Sequence, residues 1–244
     1  MNLIIDIGNT RVKLGIFENR NFKKKWIVGK AYFSTDHIAE IENDFPINKI
    51  ILTNSGELPE LVLSYLEKKD FFLVLDSDTP LPIQNNYGSP QTLGKDRLAS
   101  AVAAKTFFPS EACLVIDCGT CITYNFVSAE GVFLGGNITP GLSMRFNAMH
   151  QLTAKLPLIE RANIDNLIGD TTETAIRTGA QLGAAFEMDG FIDNYIQRFG
   201  EIRTLLTGGD ADYFAKHLKN KIFALENLVL TGLNEILIFN TDHK

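Results

Sequence analysis

At 244 residues the chain exceeds what one small core usually organises, and at about 100–200 residues per domain the length favours two lobes, expected at 1–110 and 111–244. Apolar residues make up 45% and charged residues 21%, so each lobe can bury a core and a disordered or low-complexity chain is excluded. A net charge of -6, without blocks of like sign, argues against nucleic acid, whose binding rests on neutralising phosphates with Lys and Arg.

The chain opens Met1-Asn2-Leu3-Ile4-Ile5-Asp6, without a basic region or a long apolar stretch, and no run of 18 uncharged apolar residues follows, so we expect a cytoplasmic protein with no membrane partner. Residues 3–7 and 12–17 read as strands joined by Gly8-Asn9-Thr10, and 22–28 as a third strand of a meander. The basic run Lys23-Lys24-Lys25 in that third strand reads as a solvated edge or turn. Helix then alternates with strand: 35–44 helix, 49–53 strand, 58–68 helix, 71–75 strand. Residues 76–91, with Pro80, Pro82, Gly88 and Pro90, read as a long loop, and 95–107 as a helix. The pattern restarts with strands at 113–117, 122–127 and 132–137, a helix after Pro140, a long helix over 172–198, a strand at 203–207 and a terminal helical region. Three strands followed by alternating helices and strands predict an α/β lobe with a mixed sheet.

The two halves begin alike. Leu3-Ile4-Ile5-Asp6-Ile7-Gly8-Asn9-Thr10 lines up with Leu114-Val115-Ile116-Asp117-Cys118-Gly119-Thr120, which suggests an internal duplication. An Asp at the end of an apolar strand is costly unless it meets a cation or hydrogen-bond donors, so Asp6 and Asp117 are candidate metal ligands, directly or through water. The adjacent glycines let backbone N–H groups approach an anion, and Asn9, Thr10 and Thr120 add neutral donors. Two such turns facing each other would grip a triphosphate from both sides, with Lys13 on the second strand adding charge if its side chain faces the cleft. Asp-Gly turns also simply close hairpins. The pair Gly208-Gly209, followed by Asp210 after a strand, gives an adenine ring room against the backbone.

Gly94-Lys95-Asp96-Arg97 opens a helix, where the dipole alone stabilises an Asp. The functional reading makes Asp96 the acceptor of a hydroxyl proton and Arg97 the bidentate holder of an anionic substrate. Gly88 through Asp96 is not a Walker loop, because five residues separate its glycines and Asp96 stands where Ser or Thr holds magnesium. No Rossmann fingerprint and no G-x-S-x-G elbow occurs, and His37, His150, His217 and His243 show no ligand spacing. Cys113, Cys118 and Cys121 lack the fourth thiolate of an iron–sulfur site and read as packing residues.

Together, Asp6 through Lys13, Gly94 through Arg97, Asp117-Cys-Gly-Thr120, Gly135-Gly-Asn-Ile-Thr-Pro-Gly141, Gly169-Asp-Thr-Thr172 and Thr207-Gly-Gly-Asp210 resemble the type III pantothenate kinases of the actin, heat-shock chaperone and sugar kinase superfamily. The resemblance implies an α/β fold of two actin-like, ribonuclease H-like lobes, each a mixed sheet flanked by helices, with the active site in the cleft between them. It implies transfer of the γ-phosphate of ATP to the primary hydroxyl of pantothenate, the first step toward coenzyme A. Asp96 would be the base, and Asp6, Ile7, Gly8, Asn9, Thr10, Arg11, Val12, Lys13, Thr120, Gly208 and Gly209 would bind ATP. Asp6 would meet magnesium, directly or through water, and Asp117 a monovalent cation, potassium or ammonium. Tyr87, Gly94, Lys95, Asp96, Arg97 and Thr172 would contact pantothenate, and Gly135–Gly141 would belong to a homodimer interface. Competing readings are a sugar kinase, usually longer; a polyphosphate-directed phosphatase, needing a carboxylate placed to activate water; and a noncatalytic regulatory relative, which would have lost Asp96 or the first turn.

Overall fold

The structure, a computed structural model, describes residues 1–54, 59–164 and 166–242. Strand β1 (Asn2–Ile7) is buried along its whole length, as befits an unbroken apolar run, and lies central in the first sheet. It pairs antiparallel with β2 (Arg11–Glu18), which pairs antiparallel with β3 (Asn21–Gly29). On its other side β1 pairs parallel with β4 (Lys49–Asn54), and β4 parallel with β5 (Phe72–Val74), giving the order β3-β2-β1-β4-β5. The lysine run lies in edge strand β3, where Lys23 meets Glu18 and Lys25 donates to Asn227.

Alternation along β1 sorts its side chains to two faces. Leu3, Ile5 and Ile7 pack with Ile38 and Ile41 of α1 (Thr35–Asp44) and Val62 and Leu66 of α2 (Glu60–Leu66). The expected helix over 58–68 is thus described from Glu60, with Pro59 as its cap, and Leu58 lies outside the described residues. The opposite face of the sheet receives α3 (Lys95–Phe107) and α7 (Leu228–Asp242), which also pack on each other. Small residues Ala99, Ala101, Ala103 and Ala104 on α3 permit that packing. Helix α7 is fixed by polar contacts too: Asn2 Nδ2 donates to Asn234 Oδ1 at 2.8 Å, and Arg20 pairs with Glu235 at 2.9 Å.

The segment expected as a plain loop over 76–91 carries a two-residue strand, β6 (Gln84–Asn85), and a 3-10 turn at Pro90–Thr92. Too short to show a period, β6 exists because Gln84 N–H bonds Gly131 O and Asn86 N–H bonds Phe133 O.

The second sheet runs β6-β9-β8-β7-β10-β11, from β7 (Cys113–Cys118), β8 (Cys121–Val127), β9 (Val132–Pro140), β10 (Arg203–Thr207) and β11 (Phe223–Ala224). Its last five strands, β9-β8-β7-β10-β11, repeat the order β3-β2-β1-β4-β5, and β10 is parallel to both β7 and β11 as β4 is to β1 and β5. The short strand β11 interrupts the terminal region expected to be helical, between α6 (Ala211–Ala215) and α7. Helices α4 (Leu142–Gln151), α5 (Thr172–Phe199) and α6 cover one core, to which α5 contributes Ile176, Ala180, Ala184, Met188 and Ile192, a stripe at every fourth position. Cys118 belongs to this core and Cys113 is also buried; burial, with Asp117 next in effect, pushes the Cys118 thiol pKa up.

Two compact units result. The first comprises Met1–Ser110, Val127–Leu134 and Asn227–Lys244, and the second Glu111–Phe126 and Gly135–Glu226. The terminal helix therefore packs with the first unit.

Candidate active site

In the first unit, Asp6 and Lys13 are cross-strand partners, so their side chains share a face, and Lys13 Nζ lies 3.7 Å from Asp6 Oδ2. Asp6 is 7% exposed: a carboxylate one residue from the end of a fully buried strand, with a cation beside it. The hairpin closes with Gly8 N–H bonding Arg11 O at 3.0 Å, and Thr10 O accepts from Lys30 N–H at 3.0 Å. Asn9, Thr10 and Arg11 stand exposed at its tip, while Ile7 and Val12 are buried and contribute backbone.

Gly94 caps α3, and the following residues split in their surroundings. Lys95 Nζ reaches back to Pro90 O at 3.2 Å. The Asp96 carboxylate lies over Gly94 and accepts from the Arg97 N–H at 2.9 Å, so the helix start does hold it. Arg97 is buried, its guanidinium carbon 5.6 Å from the centre of the Tyr87 ring, whose other neighbour is Phe133 at 6.2 Å. Tyr87 and Arg97, ten positions apart, are thus brought together by a cation–π contact.

In the second unit, Asp117 is the last residue but one of β7, beside Thr207, its parallel partner on β10. Gly119 and Thr120 are exposed, and the turn closes by Gly119 N–H to Cys121 O at 3.1 Å. Gly208 has φ +100°, and a Cβ there would fall 2.5 Å from Asp117 Oδ1 and 2.6 Å from the Cys118 backbone. Asp210 N–H bonds Cys118 O at 3.0 Å, so the two glycine turns are stitched together, whereas Gly209 faces open space. The Asp210 carboxyl pKa is raised by burial and opposed by Arg161, whose Nη1 lies 2.7 Å from it. Thr172, the first residue of α5, is exposed; Thr171 performs the capping, accepting from Thr174 N–H at 3.1 Å.

Sequence reasoning named the turns but missed what braces them. Gly141 donates its N–H to Thr120 O at 3.1 Å, and Arg161 anchors Asp210 from 49 residues away. Only the glycines in Gly135–Gly141 signalled the first contact, and nothing signalled the second. Among the described residues no three His, Cys, Asp or Glu side chains gather as a metal centre. Magnesium held largely by phosphate oxygens and water needs one or two carboxylates, so Asp6 fits it. Asp117, whose Oδ1 lies against the Gly119 and Gly208 turns, offers a carboxylate oxygen of the kind a monovalent cation takes. Of the expected histidines, His217 stacks on Tyr213 at 4.1 Å, and His243 lies outside the described residues.

Two sheets that share a five-strand order, each with a carboxylate and a glycine turn towards the end of a central strand, define an actin-like α/β protein. A glucokinase from an Antarctic psychrotroph has a similar structure (TM-score 0.55, 13% identity, covering 98% of each chain), as does a Campylobacter jejuni protein assigned to a Baf family of transcriptional activators (TM-score 0.61, 21% identity, covering 98% of this chain and 99% of that one). At those identities they show the fold alone. The sequence pattern of the type III pantothenate kinases matches residues 2–194, and the Bacteroides fragilis type III pantothenate kinase is 45% identical over 241 residues, 98% of each chain. The chain belongs to the type III pantothenate kinase family, and is a kinase.

Proposed function

We propose that this kinase phosphorylates pantothenate with ATP to give 4'-phosphopantothenate, opening coenzyme A biosynthesis. The observation that carries the reading is the equivalence of Asp6 and Asp117, each in the central strand of a five-strand run of the same order. The first turn, Asp6 through Lys13, belongs to the lobe expected at 1–110, and Thr120, Gly208 and Gly209 to that expected at 111–244; both sets bind the nucleotide. Magnesium, when bound with the nucleotide, neutralises developing phosphate charge, and Asp6 is the residue that would hold it. Asp117 would hold potassium or ammonium.

Asp96 accepts the proton of the attacking primary hydroxyl, its carboxylate already placed by the α3 start. Arg97, shielded from water, pairs more strongly with a carboxylate than an exposed cation would, and so holds that of pantothenate. Tyr87 orients Arg97 through its ring face, Gly94 and Lys95 shape the approach, and Thr172 supplies a hydroxyl. Positioning and charge stabilisation are the main demands of phosphoryl transfer, and these residues supply both.

The same reading makes the protein a cytoplasmic homodimer associating through Gly135–Gly141, where Leu134 and Ile138 are exposed. Among the described residues no helix is long and apolar enough to cross a membrane. The test is ADP release in a coupled assay with magnesium and potassium, with and without pantothenate. Release that ignores pantothenate would remove the substrate assignment.

A further inference from the structure

Gly119 and Thr120 of the second phosphate turn are exposed, and besides the Gly119 N–H bond to Cys121 O the turn leans on Gly141. Besides its N–H bond to Thr120 O, a Cβ at Gly141 would fall 2.4 Å from Gly119 O and 2.5 Å from Thr120 O, so its backbone lies directly against the turn. Gly141 also caps α4, so its own position is set by whatever holds the start of that helix.

Leu142 and Phe146 bury the inner face of that start in the core, and one charged side chain ties it down from outside. Arg145 Nε donates to Pro140 O at 2.8 Å, and its Nη2 donates to both oxygens of Glu187 on α5, at 3.0 and 2.8 Å. Tyr124, fully buried on β8, donates its hydroxyl to Glu187 Oε1 at 3.3 Å. Burial first, and then the Glu187 charge, raises the Tyr124 pKa, so the phenol keeps its proton and stays a donor. The contacts close a ring: from the turn through Gly141 and Pro140 to Arg145, across to Glu187, into Tyr124, and back along β8 to Thr120. The side chains of Arg145 and Glu187 are only 20% and 28% exposed, so water screens this pair less than a surface ion pair.

We infer that Arg145 and Glu187 are positioning residues for the phosphate-binding turn at Gly119-Thr120, acting through Gly141. The inference rests on the reading that this turn holds ATP. A misplacement of about 1 Å at a reacting group costs up to about 100-fold in rate even when the mutation lies far from the chemistry, so a brace that reaches the turn through Pro140 and Gly141 has leverage on the nucleotide. Its effect on pantothenate is smaller, since the proposed contacts at Tyr87 and Gly94–Arg97 lie outside the ring and Thr172 shares only helix α5 with Glu187, fifteen residues away.

The experiment measures kcat and KM for each substrate in Arg145→Ala, Glu187→Gln, Thr120→Ala and the double variant Thr120→Ala/Glu187→Gln. Glu187→Gln preserves side-chain volume and carries the test if Arg145→Ala does not fold. We expect KM for ATP to rise about 10-fold in Glu187→Gln with KM for pantothenate within about 2-fold of wild type, and the double variant to match Thr120→Ala within about 2-fold, because both changes act on one element. A folded Glu187→Gln with wild-type KM for ATP, equal changes for both substrates, or additive effects in the double variant would overturn the brace. Wild-type KM for ATP in Thr120→Ala would instead overturn the phosphate-turn reading beneath it.

Discussion

Replacing Gly208 by Ala tests whether the second turn is built as described. The residue has φ +100°, where a side chain costs about 1–2 kcal/mol. Its new Cβ would also stand 2.5 Å from Asp117 Oδ1 and 2.6 Å from both the N and C atoms of Cys118. The Asp117 oxygen can rotate aside, but the Cys118 backbone belongs to β7, and overpacking of this kind costs about 1–3 kcal/mol. The sum is about 2–5 kcal/mol, which at roughly 2–4 °C per kcal/mol for a chain of this size lowers Tm by about 4–20 °C. Gly209→Ala is the matched control: nothing lies within 4 Å of its Cβ, so its stability should stay within about 0.5 kcal/mol of wild type. Thermal unfolding of both variants, without nucleotide, decides the matter. If Gly208→Ala melts with Gly209→Ala, the close approach of Gly208 to β7 is wrong.

Two further outcomes follow from the site and one from the loop after β5. Asp96→Asn should lower kcat about 100-fold or more with little loss of Tm; turnover near wild type would move the base elsewhere. Arg97→Lys, which loses the planar fork and the ring contact to Tyr87, should raise KM for pantothenate about 10-fold while KM for ATP holds, as steady-state kinetics would show. The Asp76 carboxyl pKa is held below its ordinary value, first by the Thr79 hydroxyl and then by the N–H groups of Asp78 and Thr79. Its contribution to stability is therefore present above the unfolded pKa and lost as pH falls through the folded one. Thr79→Val should move its NMR titration midpoint upward; an unmoved midpoint would disprove the assigned cause.

What could be read beforehand follows from how local each signal is. β1 and β7 were legible because both are continuous apolar runs ended by Asp and a glycine turn. β6 and β11 were not, since two residues carry no period and their pairing depends on chain far away. Helix α7 was legible as helical but not in its docking: with Leu228, Leu230, Leu233 and Leu237 all buried, its composition says that it is covered and nothing about by which sheet. The site divides the same way. The turn residues are neighbours in sequence, but Arg145 and Glu187 are 42 apart, and that separation matches no helical or strand spacing. The burial of Arg97 beneath Tyr87 depended on where the intervening segment turned back, which Pro90 left undetermined.

The return of α7 to the first sheet bears on the order in which the protein can assemble on the ribosome. Strands β1 to β5 emerge early, yet one side of that sheet awaits a helix made almost last. Until then Ile4 and Ile51 lack part of their cover, and a nascent chain must keep that greasy surface from sticking to its neighbours while all of the second unit is synthesised.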